Sequence, residues 1–170
     1  MLMGFERNKS FCLGFLLVIL CGYSFSLLGK KMVKPDQFIK KLNKALEWEY
    51  AAAIQYLQHA AVMKGAEYMA IIEELLVHSN EEMAHAVKVS TMIDDLGGTP
   101  TVEPEKREVS KNSKKMLEQD LAGEDIAINL YKELIVMAEE LGEYAKRQIL
   151  EGILMQEEEH KRDLLLALGR

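Results

Sequence analysis

From Pro35 onward the apolar residues of this 170-residue chain recur at helical rather than strand spacing. Phe38, Leu42, Ala45 and Leu46 fall three and four apart, on one face of a helix. Pro35 suits the first turn of that helix, Asp36 follows it, and the pattern runs to about Lys64, where Gly65 interrupts it. A second helix is predicted from there to about Leu96, with Ile71, Leu75, Leu76, Met83, Val87 and Met92 as its apolar positions. Gly97-Gly98-Thr99-Pro100 stops it, because glycine takes the left-handed cap and proline cannot continue the hydrogen-bond ladder. The third helix is predicted from Ser113 to about Glu140, with Leu117, Leu121, Glu124, Ile128, Tyr131 and Leu134 as its stripe. Gly142 marks the next turn, and a fourth helix continues to about Leu168 through Ile149, Leu150, Ile153, Leu154, Glu157 and His160.

A long polar stretch from Gly97 to Asn112 separates the second helix from the third. Extended, a stretch of that size spans at most ~55 Å. A helix of about 30 residues is ~45 Å long, so this connection can run the length of one helix and start the third at the opposite end. The predicted fold is therefore all-α, a four-helix bundle with one long crossover between helices 2 and 3.

Polar residues stand inside these stripes. Glu82-Met83-Ala84-His85 sets a carboxylate and an imidazole three apart, so both can reach a single metal ion. One such pair is weak, since a solvated Glu beside a capping or core His explains it. Glu157-Glu158-Glu159-His160 repeats the spacing, however, and each pair follows a lone helical glutamate at the same separation, Glu49 before Glu82 and Glu124 before Glu157. Two helical turns after each lone glutamate stands a tyrosine, Tyr56 and Tyr131, on the same face. One constant shift carries Glu49 to Glu124, Tyr56 to Tyr131, Glu82 to Glu157 and His85 to His160, which chance does not readily produce.

Heights agree too. Glu49 stands as far before Gly65 as Glu82 stands after it, to within a single position, so the two are level in a tight hairpin. Glu124 and Glu157 are likewise about equally far from Leu141. All six ligands can then meet midway along the bundle. Burying four carboxylates together is expensive without a cation between them, and two divalent ions would supply the missing charge. Oxygen donors with one imidazole per ion suit iron, and also manganese, better than zinc.

Composition narrows the class further. With 49% hydrophobic residues, only 7% aromatic and three prolines, the chain reads as one helical domain. Both cysteines, Cys12 and Cys21, lie ahead of Met32, leaving the remainder no thiol for a disulfide or a thiolate metal site. Net charge is −6, yet the part ahead of Met32 holds four of the 21 bases and only one of the 27 acids, so the remainder is more acidic than the whole. An acidic surface repels phosphate backbones, and no nucleic-acid partner is expected.

Residues 1–31 form a hydrophobic N-terminal segment ahead of the domain at 32–170. Ser10 to Gly29 is free of charge and, as a helix, ~30 Å long, enough to cross a bilayer. Three readings compete. An uncleaved anchor would keep the following domain in the cytoplasm, because flanking bases are heavier on the C-terminal side (Lys30, Lys31, Lys34, Lys40, Lys41) than on the N-terminal side (Arg7, Lys9). Translation beginning at Met32 would make the segment a misassigned extension. A cleaved signal ranks behind both, since only Ser24-Phe25-Ser26 offers a weak cut site. The expected location is cytoplasmic, with a membrane tether through residues 10–29 if they are retained.

At these residues the sequence resembles bacterioferritin and its ferritin-like relatives. The match runs from about Met32 to Arg170 and includes Glu49-Tyr50-Ala51-Ala52-Ala53-Ile54-Gln55-Tyr56 and both Glu-x-x-His pairs. The resemblance implies a ferritin-like bundle holding two Fe ions, with Glu49 and His85 capping one, Glu124 and His160 capping the other, and Glu82 and Glu157 bridging them. It implies ferroxidase chemistry for iron storage or detoxification, in which dioxygen or peroxide takes electrons from two Fe(II), and a homo-oligomer, a dimer or larger. A rubrerythrin-like peroxidase uses the same ligands but usually adds a cysteine-ligated iron domain. Bacterioferritins continue into a short fifth helix that helps build a shell, and the chain here ends at Arg170, so the resemblance does not extend to shell assembly. A further inner-surface iron site of some members needs a histidine where Val77 stands, and is not carried over.

Met83 matches the position that supplies haem b with a methionine from each of two subunits. A haem-binding or electron-transfer bundle is the function that would follow, and a flexible core methionine is the plain alternative. Tyr56 and Tyr131 are expected to hydrogen-bond the ligands from outside, or simply to pack in the core. His59 and Trp48 are expected to be packing residues and His78 to be exposed.

Overall fold

The computed structural model describes residues 33–170, and all regular structure among them is helical. Four long helices, α1 (Pro35–Val62), α2 (Met69–Asp95), α3 (Ser113–Leu141) and α4 (Tyr144–Ala167), form the bundle, with one 3₁₀ turn at Ala66–Tyr68 leading into α2. Helix α1 packs on α2 and α3 on α4, while α1 also meets α3 and α2 meets α4. The helix ends follow local chemistry. The Lys34 amide, just before Pro35, donates to the Gln37 side chain at 3.0 Å; Asn112 caps α3 by accepting from the Lys115 amide at 2.8 Å. Gly142 closes α3 in the left-handed region at φ 74°, where a Cβ would be strained.

The crossover between α2 and α3 runs along α1. The Asn43 side chain binds the carbonyl of Thr99 and the amide of Thr101, the Glu47 carbonyl accepts the Glu105 amide, Gln55 donates to the Glu108 carbonyl, and Ser113 pairs with the backbone of Lys64. Positions 99 to 113 thus climb α1 from its first turns to its end, and α3 starts where α1 stops. Arg107 fastens the middle: it bonds the Gln55 side chain and the Gln119 carbonyl and lies 5.1 Å over the half-buried Trp48 ring. Gly123 leaves room for it, since a Cβ there would stand only 2.5 Å from the guanidinium.

Beneath Arg107, His59 Nδ1 and Asp120 Oδ2 meet at 2.8 Å, both buried. His59 therefore packs, as expected, but with a dedicated partner. Asp120→Ala should lower the stability of the metal-free protein by ~1–3 kcal/mol, the cost of leaving the buried His59 Nδ1 without a partner. Chemical denaturation measures this, and an unchanged midpoint would show that the pair contributes nothing.

Two apolar layers close the bundle around its middle. One joins Phe38, Leu42 and Leu46 with Val89, Ile93, Leu134 and Leu150; the other joins Tyr56 with Leu75, Met116, Leu117 and Leu164. The phase of α2 differs from the hydrophobic pattern. Its inward positions are Ile71, Leu75, His78, Glu82, His85, Val89 and Met92, while Leu76, Met83 and Val87 face outward, as Ile149 does on α4. Polar residues hold the middle inward positions of α2, so a stripe drawn through apolar residues alone slips by one. His78 is the clearest correction: expected at the surface, it is 1% exposed, because it lies one turn before Glu82 on the same face.

The expectation of a membrane tether is also corrected. No helix among the described residues is long and apolar enough to cross a membrane. The segment at 10–29 itself lies outside the described residues.

Candidate metal centre

Between the two apolar layers the four helices bring Glu49, Glu82, His85, Glu124, Glu157 and His160 together, each at most 2% exposed. Their donor atoms form two overlapping groups able to hold a metal ion: Glu49, Glu82, His85 and Glu157, and Glu82, Glu124, Glu157 and His160. In the first, His85 Nδ1 lies 3.3 Å from Glu49 Oε2, 3.3 Å from Glu82 Oε2 and 2.9 Å from Glu157 Oε1. In the second, His160 Nδ1 lies 3.2 Å from Glu82 Oε1, 3.9 Å from Glu124 Oε2 and 4.0 Å from Glu157 Oε2. Glu82 and Glu157 each turn one oxygen to one imidazole and the other oxygen to the second. Carboxylates placed this way can be shared between two cations.

The tyrosines cross between hairpins. Tyr56 on α1 donates to Glu124 on α3, and Tyr131 on α3 donates to Glu49 on α1, each to Oε1. The other oxygens, Glu49 Oε2 and Glu124 Oε2, have no hydrogen-bond partner, and the two oxygens of Glu157 face only the imidazoles of His85 and His160. Buried oxygens without partners are expensive, and cations set among them would satisfy all of them at once.

Without a cation the carboxyls resist ionisation. Burial, then the charge of Glu49, holds Glu82 well above the usual carboxylate range; burial, then Glu157, does the same for Glu124. Glu157 is pushed up to about 8 by burial and by its neighbours Glu82 and Glu49. Burial alone would lower His85, but the close approach of Glu157, Glu49 and Glu82 outweighs it and raises the imidazole strongly. The extra protons belong to the cluster as a whole.

Sequence reasoning missed an outer layer. His85 Nε2 meets Gln156 Oε1 at 3.0 Å, His160 Nε2 meets Glu81 Oε2 at 2.9 Å, and Gln156 Nε2 reaches Glu81 Oε1 at 3.3 Å. With Nε2–H donating outward, each Nδ1 presents its lone pair to the centre. The adjacency of Glu81 to Glu82 and of Gln156 to Glu157 was the available signal, because neighbouring helical positions flank the same pocket. Met83 lies apart from this cluster, 46% exposed on the outward face of α2.

The ferritin-like domain family matches residues 39–170, most of the chain. The chain belongs to the ferritin-like family. Among its relatives is a bacterioferritin of Brucella melitensis, 34% identical over 77% of this chain and 86% of the relative. A nutrient stress-induced DNA-binding protein of Synechococcus is 30% identical over 79% of this chain and 82% of its own length. Of solved structures, a ferritin-like di-iron-carboxylate protein from Bacillus anthracis superposes with a TM-score of 0.76 at 28% identity, covering 79% of this chain and 96% of that one. The bacterioferritin of Rhodobacter capsulatus, described with a metal-free dinuclear site and a haem iron, gives 0.73 at 30% identity over 79% and 84%. Motif, fold and family agree on an iron-binding ferritin-like protein with a di-iron carboxylate type of centre.

Proposed function

We propose that this ferritin-like protein is a ferroxidase in which Glu49 and His85 hold one Fe(II), Glu124 and His160 hold a second, and Glu82 and Glu157 bridge the two. The observation that carries the reading is the split of both Glu82 and Glu157 between the two imidazoles. Four carboxylates against two divalent ions leave the pocket neutral, which removes the repulsion that raises the carboxyl pKa values. Two ferrous ions give one electron each, and dioxygen takes the pair with two protons as hydrogen peroxide, or peroxide takes them with two protons as water. The protein's part is to deprotonate the cluster as iron binds, to fix both imidazoles through Gln156 and Glu81, and to hold Glu49 and Glu124 through the two tyrosines.

Iron storage or detoxification is the purpose this chemistry serves. Manganese fits the same donors, and preference between dioxygen and peroxide separates a ferroxidase from a peroxidase. On mixing with Fe(II) and oxidant, the fast oxidation phase should saturate at two iron ions per chain; saturation at one would remove the bridged pair. Self-association is supported by exposed apolar residues such as Ile54 and Leu57 on α1 and Val87 on α2, and a related Bacteroides fragilis protein is described as dodecameric. Haem between two copies is a second reading, favoured by the exposure of Met83, and an absorption spectrum of haem-supplied protein decides it. The DNA binding named for the Synechococcus relative is not part of this reading, since a net charge of −6 works against phosphate contacts.

A further inference from the structure

One turn from the six-residue pocket, on two of its four helices, α2 and α4, lies a third group of donors. Glu74 and His78 are four apart on α2, and His78 is four before Glu82; Asp163 on α4 is three after His160. One donor atom from each of Glu74, His78 and Asp163 lies within 4.8 Å of the others. His78 Nε2 stands 3.4 Å from Asp163 Oδ2 and 3.7 Å from Glu74 Oε1. The Glu74 and Asp163 side chains are 45% and 36% exposed, and acidic pairs of that kind are common without any ligand.

The histidine is the unusual member. It is 1% exposed, and neither ring nitrogen makes a hydrogen bond. Its ring stacks on His160, with centroids 4.1 Å apart, and meets the edge of Tyr56 at 5.3 Å, so packing fixes the ring and aims Nε2 between the two acids. A buried imidazole whose Nε2 faces two carboxylates without making a hydrogen bond to either is costly, and an ion held between the three would satisfy it. The pair of acids opens onto a cleft of about 260 Å³ lined by Glu67, Ala70, Ile71, Glu74, Asp163 and Leu166. Its polar walls carry three carboxylates and no base, which attracts cations and disfavours anions.

We propose that Glu74, His78 and Asp163 form a third divalent-cation site, at the floor of this cleft and one stacked ring away from the iron pair. Two oxygens and one nitrogen, with the remaining positions open to water in the cleft, suit Fe(II) and similar first-row ions that keep part of their hydration. Being half open, the site exchanges its ion, and it serves as a waypoint for iron on its way to the His160 side of the centre. That role rests on the di-iron reading; the occupancy of the site does not.

The test uses the full chain, stripped of metal and titrated with Co(II), with ions located by cobalt-edge anomalous diffraction. The control is the double variant Glu74→Gln, Asp163→Asn, near-isosteric changes at partly exposed positions, with circular dichroism expected to match wild type. Wild type should bind three ions per chain, one of them between Glu74, His78 and Asp163, and the double variant should bind two, both in the six-residue pocket. No peak at Glu74 and Asp163 in wild type at saturation, or a third ion retained by the double variant, overturns the site. A filled third site beside an empty six-residue pocket would support the site while ending the di-iron reading. For the waypoint, the double variant should raise the KM for Fe(II) by about 10-fold, the lower end of losses on removing a supporting metal contact, with kcat kept. An unchanged KM overturns that role.

Discussion

Glu82→Ala should cut the fast phase of Fe(II) oxidation by at least about 100-fold, the upper end of the losses seen when a metal's supporting residues are removed. Glu82 sits evenly between the imidazoles, with one oxygen 3.3 Å from His85 Nδ1 and the other 3.2 Å from His160 Nδ1, whereas Glu157 lies 2.9 Å from the first and 4.0 Å from the second. Its loss leaves Glu157 as the sole bridge and removes one of the charges that offsets the second ion. Oxidation by two electrons at once needs both ions side by side, so the second ion is lost along with the fast phase. Circular dichroism of the variant should match wild type while its stopped-flow trace lacks the fast phase. A variant that oxidises iron at the wild-type rate would rule out the bridged pair.

The second large effect is on stability. Ions that bind only the folded chain add ~2.7 kcal/mol per site at 100 times Kd, or about 5 kcal/mol for two sites. At ~2–4 °C per kcal/mol for a chain of this size, Mn(II), which stays divalent in air, should raise Tm by about 10–20 °C. The same groups set the pH dependence of the metal-free protein. The carboxyl of Glu157 rises from 4.5 to about 8 on folding, and Glu82, Glu124 and His85 rise as well. The folded state then holds more protons than the unfolded one, so this stabilisation is complete at low pH and is lost as pH climbs toward 8. His78 acts in the opposite sense, since burial and then the charge of His160 lower it from 6.5 to about 4. It therefore favours the folded state increasingly as pH rises between those values. The clean window is pH 6.5 to 8, where metal-free protein should lose stability as pH rises. Bound Mn(II) should abolish that slope, because the ions require the deprotonated cluster. Thermal melts across this window, with and without Mn(II), measure both effects. An unmoved Tm at saturating Mn(II), or metal-free stability that rises with pH across the window, would contradict the site.

Much of this was legible because helices enforce a period. Glu82 and His85, and Glu157 and His160, share a face by spacing alone, and the turns at Gly65 and Gly142 fix their heights. Tyr56 and Tyr131 were placed beside the ligands by the same spacing, though which glutamate each would hold depends on the crossing between hairpins, which no single helix records. What escaped lies in phase and in neighbours. Leu76, Met83 and Val87 complete an apolar stripe on α2 by pattern alone because its inward positions His78, Glu82 and His85 are polar. His78 escapes for the converse reason: its type suggests the surface, and only its distance of one turn from Glu82 places it inside. The Arg107, Asp120 and His59 arrangement joins the crossover, α3 and α1, so it exists only once the tertiary path is known.

Everything proposed for the centre depends on two ions sharing Glu82 and Glu157. Iron-edge anomalous diffraction from crystals of the full chain, loaded with Fe(II) without oxygen, reads that directly. Two iron peaks are expected in the six-residue pocket, one against Glu49 and His85, the other against Glu124 and His160, with Glu82 and Glu157 touching both. A single peak in that pocket, or two that do not share these carboxylates, would contradict it.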